Sequence, residues 1–316
     1  MAPSSSSPTR APLLAVAVGV AALALVACGG GDKDAQPQPA AKPAYDGEKL
    51  IDQASGPNAA ARSGRIDGSI EIALRGVSEF AEPFSSSISG PFEFRKGSTL
   101  PDYELEVGVR DYGVELSSVR GRSYISLGES GYDLPRPVRN RLVRASARGK
   151  NGLTRTLEQF GIAPWRWETD KRAGATERIG GVKVVRIDTS FNAGRMLKDG
   201  YTLLGLLASL GITRAVGLPP QISRDARKVF VRSVTSKVGA SWVGIRDHVI
   251  RQSGFTMRFT VPPADRRALG GISGGTVVGK LKVTHVGQPQ QIKPPKTVAP
   301  FAQLAVAIDA LGDARR

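Results

Sequence analysis

Apolar and polar residues alternate with a period of two along much of the chain. The clearest runs are residues 66–75, 103–109, 255–261 and 281–284. Shorter runs, each bounded by Gly, Asp or Pro, are residues 88–94, 114–119, 123–127, 182–187 and 240–245. Strands with one apolar and one polar face are typical of an antiparallel sheet that is wetted on one side. The pattern therefore predicts about nine or ten strands.

Helical periodicity interrupts these runs in the middle of the chain. The predicted helices cover residues 46–62, 137–148, 153–160, 192–210 and 221–236. The stretch from Tyr201 to Leu210 is apolar nearly all round, as expected for a helix that is buried on most sides. Because strands come first, then helices, then strands again, the order predicts an α+β fold: a curved antiparallel sheet with helices on one face.

The N-terminal segment has the pattern of an export signal. An apolar run over residues 13–26 follows Arg10, and Leu25-Val26-Ala27 precedes Cys28 and three glycines. The run is too short to cross a bilayer as a helix but has the length of a signal-peptide core. The motif resembles a bacterial lipobox, which implies cleavage before Cys28 and acylation, such as palmitoylation, of the new N-terminus. An ordinary secretory signal with a stray cysteine is the alternative.

These features divide the chain into four parts. Residues 1–27 are the predicted lipoprotein signal peptide, and residues 28–45 are the lipidated cysteine with a Gly-, Pro- and Ala-rich tether. Residues 46–292 form the predicted domain, and residues 293–316 a C-terminal extension. Two or more acyl chains would hold the protein stably on the outer side of the cell membrane. Cys28 is the only cysteine, so no internal disulfide is available.

The charge balance favours an anionic partner. The 316 residues include 44 Lys and Arg against 28 Asp and Glu, a net charge of +16. Removal of Arg10 with the signal peptide leaves 43 basic residues and a net charge of +15. Export and the lack of nucleic-acid-binding motifs disfavour DNA and RNA, which leaves an anionic membrane surface or glycolipid. An ordinary surface encoded by a GC-rich genome, which favours Arg over Lys, is the alternative.

One basic cluster is the candidate for membrane contact. Arg141, Arg144 and Arg148 share a helix face by their spacing of three and four residues. Near anionic lipids, each basic side chain contributes about 1 kcal/mol of attraction. A plain solvated face would have the same pattern.

The sequence gives little support for a catalytic or metal-binding site. Residues 271–275 fit G-x-S-x-G, but a strand instead of a helix follows Ser273, and no acid precedes His285 in the required order. His248 and His285 are the only histidines and cannot form a usual zinc site without cysteine. Glu104 and Glu106 fit the solvated face of a strand better than an acid/base pair. The sequence therefore predicts no enzyme, no metal and no cofactor.

Four segments resemble the mycobacterial LppX/LprG lipoprotein family, whose fold is similar to that of the carrier LolA. They are GRIDGSIEI from Gly64, GRSYISLG from Gly121 with YDLP following, ERIGGVKVVRID from Glu177, and GIRDHVIRQ from Gly244. The resemblance implies a half-barrel sheet whose concave face is covered by helices, with an apolar pocket for the acyl chains of a lipid or glycolipid. The high Arg content and the C-terminal extension depart from the family pattern.

The expected function is therefore membrane-anchored binding and carriage of an envelope lipid or glycolipid, with the donor and acceptor proteins unknown. The expected cavity residues are Val107, Leu203, Leu206, Leu207, Leu210, Phe255 and Phe259. The alternative is a structural or partner-binding lipoprotein in which these side chains fill a closed core.

Overall fold

A computed structural model describes residues 45–78, 82–109, 112–210 and 223–313. The predicted signal peptide, Cys28 and the tether up to residue 44 lie outside the described residues. Within the described part, twelve strands form one sheet, in the order β12-β6-β5-β4-β3-β2-β1-β11-β10-β9-β8-β7.

The strands are β1 (Ser63–Arg75), β2 (Phe84–Glu93), β3 (Asp102–Val109), β4 (Tyr112–Val119), β5 (Arg122–Leu127), β6 (Ser130–Asp133), β7 (Glu168–Ile179), β8 (Val182–Phe191), β9 (Val234–Gly244), β10 (Ile250–Thr260), β11 (Gly274–Thr284) and β12 (Thr297–Pro300). Two meanders, β1 to β6 and β7 to β11, meet where β1 pairs with β11. Neighbouring strands are antiparallel except β12, which pairs in parallel with β6. The sheet is open and curved.

The described α-helices are α1 (Gly47–Ser55), α2 (Arg136–Ser146), α3 (Gly152–Glu158), α4 (Ala193–Ser209), α5 (Arg224–Ser233) and α6 (Ala302–Asp313). Side chains of α2 to α6 form one apolar cluster with side chains from β1 to β6, β10 and β11. A second, smaller cluster joins Leu50, Ile51 and Ala54 of α1 to β8 and β9. We call the sheet face that α2 to α5 cover the inner face. The predicted α+β fold with helices on one face of an antiparallel sheet is confirmed.

Three strands were not predicted, and β7 shows why. It is an edge strand, and its side chains from Gly174 to Arg178 are exposed, so no apolar face appears in its sequence. Charged residues at a sheet edge are a common protection against pairing with another chain. The other two, β6 and β12, are four residues each, too short for a period to be read.

The first helix is shorter than predicted. It ends at Ser55 because Gly56 adopts an extended conformation and Pro57 follows, which ends helices.

The predicted C-terminal extension contributes to both the sheet and the core. The backbone N–H of Lys293 donates to the Glu104 carboxylate at 3.5 Å, and Pro295 lies against Gly131 of β6. After β12, the side chains of Leu304 and Ile308 on α6 are buried in the main apolar cluster. None of the described helices combines the length and apolarity needed to span a membrane.

Candidate functional site

Helix α4 is the element that places the predicted cavity residues. Its start is fixed by Asn192, whose side chain accepts a hydrogen bond from the backbone N–H of Arg195 at 3.0 Å. Further along, the carboxylate of Asp199 accepts bonds from Trp167 Nε1 at 2.8 Å and from the Ala163 backbone at 3.0 Å. These polar contacts orient the helix so that its leucine-rich half lies over the inner face of the sheet.

The structure brings the seven predicted cavity residues into one apolar cluster. They come from α4 and its C-terminal cap, from β3 and from β10: Val107, Leu203, Leu206, Leu207, Leu210, Phe255 and Phe259. All are buried, with Leu207 the most exposed at 9%. The ring of Phe255 lies 5.5 Å from Phe191, and that of Phe259 lies 5.0 Å from Phe230 on α5. This cluster is the largest body of apolar surface that the helices cover.

The three predicted membrane-contact arginines lie around one pocket of about 260 Å³. Arg141 and Arg144 project from α2, and Arg148 follows its last turn; all three side chains are exposed. The opposite wall consists of Gln159, Phe160 and Gly161 after α3, and of Thr202 and Leu206 on α4. We call this the arginine pocket. Phe160 and Leu206 also belong to the main apolar cluster, so charge at the rim meets apolar surface inside.

A glycine makes this wall possible. Gly161 has φ +81°, in the left-handed region, and a Cβ there would lie 2.5 Å from the Thr202 methyl group. Both the backbone conformation and the close approach of α4 therefore require glycine.

A buried carboxylate, that of Glu158, lies between an arginine of this pocket, Arg148, and a second arginine outside it, Arg166. Glu158, with a side chain only 2% exposed, lies 3.4 Å from Arg148 and 2.5 Å from Arg166. Burial raises the pKa of Glu158, while Arg166 and Arg148 oppose the rise. In the described part of the chain, Arg141 and Arg144 have no such acidic partner, so the pocket keeps an excess of positive charge.

Sequence analysis missed a second pocket, of about 980 Å³, beside α1. Its lining is mostly charged and includes Trp165, Lys171, Arg172 and Lys198. At its wall lies Glu168, whose Oε1 accepts a 2.7 Å hydrogen bond from Ser241 Oγ. Burial raises the pKa of Glu168 to about 7, with the Ser241 bond and Lys171 opposing the rise. Glu168 Oε2 has no hydrogen-bond partner among the described residues.

The only sequence signal for this pocket is the run Trp165-Arg166-Trp167-Glu168 just before a polar strand. Glu168 reaches Ser241 across β8, because β7 and β9 both pair with β8. No local period reveals that contact.

The possible catalytic serine is not near a histidine. Ser273 precedes β11 and His285 follows it, so the eleven residues of that strand hold them about 35 Å apart. His248 lies in the turn before β10, at the same end of the sheet as His285. No group of three or more potential metal ligands occurs among the described residues.

Glu104 and Glu106 lie on the outer face of the sheet. They alternate along β3 with Tyr103, Leu105 and Val107, which point to the inner face. Glu106 is exposed, and Glu104 Oε2 lies 3.5 Å from the backbone N–H of Lys293. The predicted position on the solvated face of a strand is confirmed, with Glu106 exposed and Glu104 half-buried, although β3 lies within the sheet between β2 and β4.

Distant similarities exist among solved structures. LprF from Mycobacterium bovis aligns with a TM-score of 0.36 and 9% identity over 81% of this chain and 99% of its own. Lipoprotein LppX from Mycobacterium tuberculosis aligns with a TM-score of 0.35 and 11% identity over 78% of this chain and 97% of its own. A putative outer membrane lipoprotein-sorting protein domain from Vibrio parahaemolyticus aligns with a TM-score of 0.21 and 8% identity over 84% of this chain and 95% of its own. The sequence matches no protein-family model and no curated protein.

Proposed function

We propose that this protein is a membrane-anchored lipoprotein that binds an envelope lipid or glycolipid and encloses its acyl chains between α4 and the inner face of the sheet. It acts by binding and carries out no catalysis. The proposal places it on the outer side of the cell membrane, attached through Cys28.

The observation that carries the proposal is the apolar helix α4 lying over an open sheet. Its residues Leu203, Leu204, Leu206 and Leu207 are all buried and lie within an arc of roughly 160°, so they form one broad apolar face that packs on the inner face of the sheet. Acyl chains have no directional bonds and are held by apolar surface of this kind.

The arginine pocket supports contact with an anionic membrane. Arg141, Arg144 and Arg148 are exposed on α2 and just beyond it, and the chain as a whole carries a large positive charge. The predicted tether, residues 29–44, would by its composition reach roughly 20–25 Å and so keep the domain close to the bilayer. An anionic lipid surface is therefore the proposed neighbour of this face.

Organic extraction of the purified full chain, followed by mass spectrometry, is the direct test. We expect lipid to co-purify at a fixed ratio to protein and to survive exchange into a different detergent. A chain that yields no lipid and binds no added fluorescent lipid would contradict the proposal.

Tryptophan substitution tests where the acyl chains lie. Leu206→Trp and Leu207→Trp, made separately, should give at least one variant that melts near wild type and binds fluorescent lipid much more weakly. In a filled core, an inserted large side chain costs about 1–3 kcal/mol of stability; in a lipid site it replaces ligand instead. Ser209→Trp, at an exposed position of the same helix, is the matched control and should leave binding unchanged.

The structural alternative predicts the opposite pair of results. Both leucine variants would lose stability, and wild type would contain no extractable lipid. That outcome would favour a partner-binding lipoprotein with a closed core.

A further inference from the structure

The arginine pocket combines charge with apolar surface in one small space. Three guanidinium groups surround it, and Phe160 and Leu206 form part of its wall. Its volume of about 260 Å³ is just below the range of about 300–1,000 Å³ for small-molecule pockets, which suits a headgroup and not whole acyl chains.

The concentration of charge is unfavourable for the free protein. Arg141, Arg144 and Arg148 are spaced by three and four residues, and like charges at this spacing repel one another. Glu158 offsets part of this repulsion, but it contacts Arg148 and is shared with Arg166. A bound anion would supply the compensation that Arg141 and Arg144 lack within the described residues.

A buried polar group in the wall gives a second, independent indication of a ligand. Gln159 is only 2% exposed, and its Nε2 donates to the Thr156 carbonyl at 2.9 Å. Its Oε1 is also buried and has no hydrogen-bond partner in the described part of the chain. A hydroxyl group on a ligand is a donor that would satisfy this oxygen.

We infer that the arginine pocket binds the headgroup of a single anionic phospholipid that also carries hydroxyl groups. Arginine guanidinium groups match phosphate oxygens in a bidentate geometry, which favours phosphate over other anions. The glycerol end of the lipid lies against Phe160 and Leu206, from where its chains continue towards the apolar cluster. This inference rests on the proposed function and specifies the class of lipid.

Native mass spectrometry of the full chain, released from a nonionic detergent, tests the site with three probes. Dioleoylphosphatidylglycerol has chains, phosphate and hydroxyls; dioleoylglycerol has the same chains without phosphate; glycerol 3-phosphate has phosphate without chains. We expect one dioleoylphosphatidylglycerol to bind per protein, with both other probes at least tenfold weaker.

Variants of the pocket should remove that preference. Arg141→Gln and Arg144→Gln should each weaken dioleoylphosphatidylglycerol binding by about tenfold. Their double variant should bind it no better than dioleoylglycerol. The matched control is Arg136→Gln with Arg139→Gln, which removes the same charge from the same helix outside the pocket and should leave binding unchanged. Gln159→Leu should weaken the binding of dioleoylphosphatidylglycerol and leave the binding of dioleoylglycerol unchanged.

Three results would overturn the inference. If dioleoylglycerol binds as tightly as dioleoylphosphatidylglycerol, the pocket does not recognise the headgroup. If glycerol 3-phosphate binds as tightly, the pocket is a site for free phosphate esters. Equal loss in the control pair would assign the effect to the overall charge. If lipid is extracted from wild type but no headgroup preference appears, the inference fails and the proposed function stands. If no lipid is bound at all, the proposed function itself fails.

Discussion

Among single residues, Glu168 has the most unusual environment. It is 7% exposed, lies at the start of β7, and forms its hydrogen bond with Ser241 two strands away. Nearby polar groups on the same face, Thr189 and Ser253, are also buried. This polar line separates the apolar cluster under α1 from the larger one under α4. Ionisation of Glu168 therefore places a charge between two apolar regions.

The stability of the protein should depend on pH through Glu168. Folding raises the pKa of its carboxyl from the ordinary 4.5 to about 7, so the folded state binds the proton more tightly than the unfolded state. The stabilisation is complete below about pH 4.5 and is lost as pH rises through 7. Glu168→Gln should remove this dependence, a difference on the order of 3 kcal/mol between the two ends of the range.

Urea unfolding of wild type and variant at several pH values between 4.5 and 8 measures the difference. The comparison cancels the contributions of other carboxyls with raised pKa, such as Glu115, Glu158 and Asp199. Glu48→Gln, an exposed position of the same pocket, is the control and should follow the wild-type curve. Parallel curves for wild type and Glu168→Gln would mean that Glu168 stays ionised when folded.

At the scale of elements, two helices begin at asparagines with different additional contacts. Asn192 caps α4 by one side-chain bond. Asn151 caps α3 through the Thr154 backbone and also donates from Nδ2 to the carbonyls of Ala54 and Gly56, at 3.1 and 3.0 Å. It therefore connects the end of α1 to the start of α3 inside the protein, where it is 4% exposed.

The two caps should differ in their contribution to stability. Asn192→Ala should cost about 1 kcal/mol, the usual loss of a helix N-cap. Asn151→Ala should cost roughly 2–3 kcal/mol, since it also leaves two carbonyls without their donor. Guanidinium unfolding midpoints of the two variants measure this, and each serves as the control for the other. Equal losses would mean that α1 is not held through Asn151.

The accuracy of the sequence predictions also varies with the element. Strands β1, β3, β10 and β11 were predicted because one face of each is buried, so apolar residues alternate with polar ones in their sequences. The cap at Asn192 was also predicted from local sequence, but burial of α4 on most sides was not found: Ser209 is exposed, and Tyr201 and Thr202 are half-buried. The edge strand β7 carries no period because its side chains are largely exposed, and the pairing of the short strand β12 with β6 depends on a partner far away in the sequence. Glu168 was missed because its partner Ser241 is 73 residues away.

At the scale of the whole molecule, the sheet, the charge and the predicted anchor fit one arrangement. The two meanders meet at β1 and β11, so the N-terminal and C-terminal halves of the chain form one continuous inner face. Helices α2 and α4 border the arginine pocket on the side where α4 covers that face. Lipid drawn from a membrane would meet the arginines first and the apolar cluster second. The proposed anchor would hold the arginine pocket close to the membrane from which the lipid is drawn.

Cys28 is the proposed point of attachment, and it is the only cysteine able to carry a thioether-linked lipid. Cys28→Ala should therefore move the protein from the membrane fraction to the soluble fraction, or leave it uncleaved with its apolar run intact. Fractionation of producing cells, combined with labelled palmitate and intact mass, distinguishes these states. Cys28→Ser is a closer substitution and should behave in the same way, because its hydroxyl cannot replace the thiol. Arg10→Lys keeps the positive charge before the apolar run and should leave processing unchanged. A Cys28→Ala protein that is cleaved, membrane-bound and equal in amount to wild type would show that the anchor lies elsewhere.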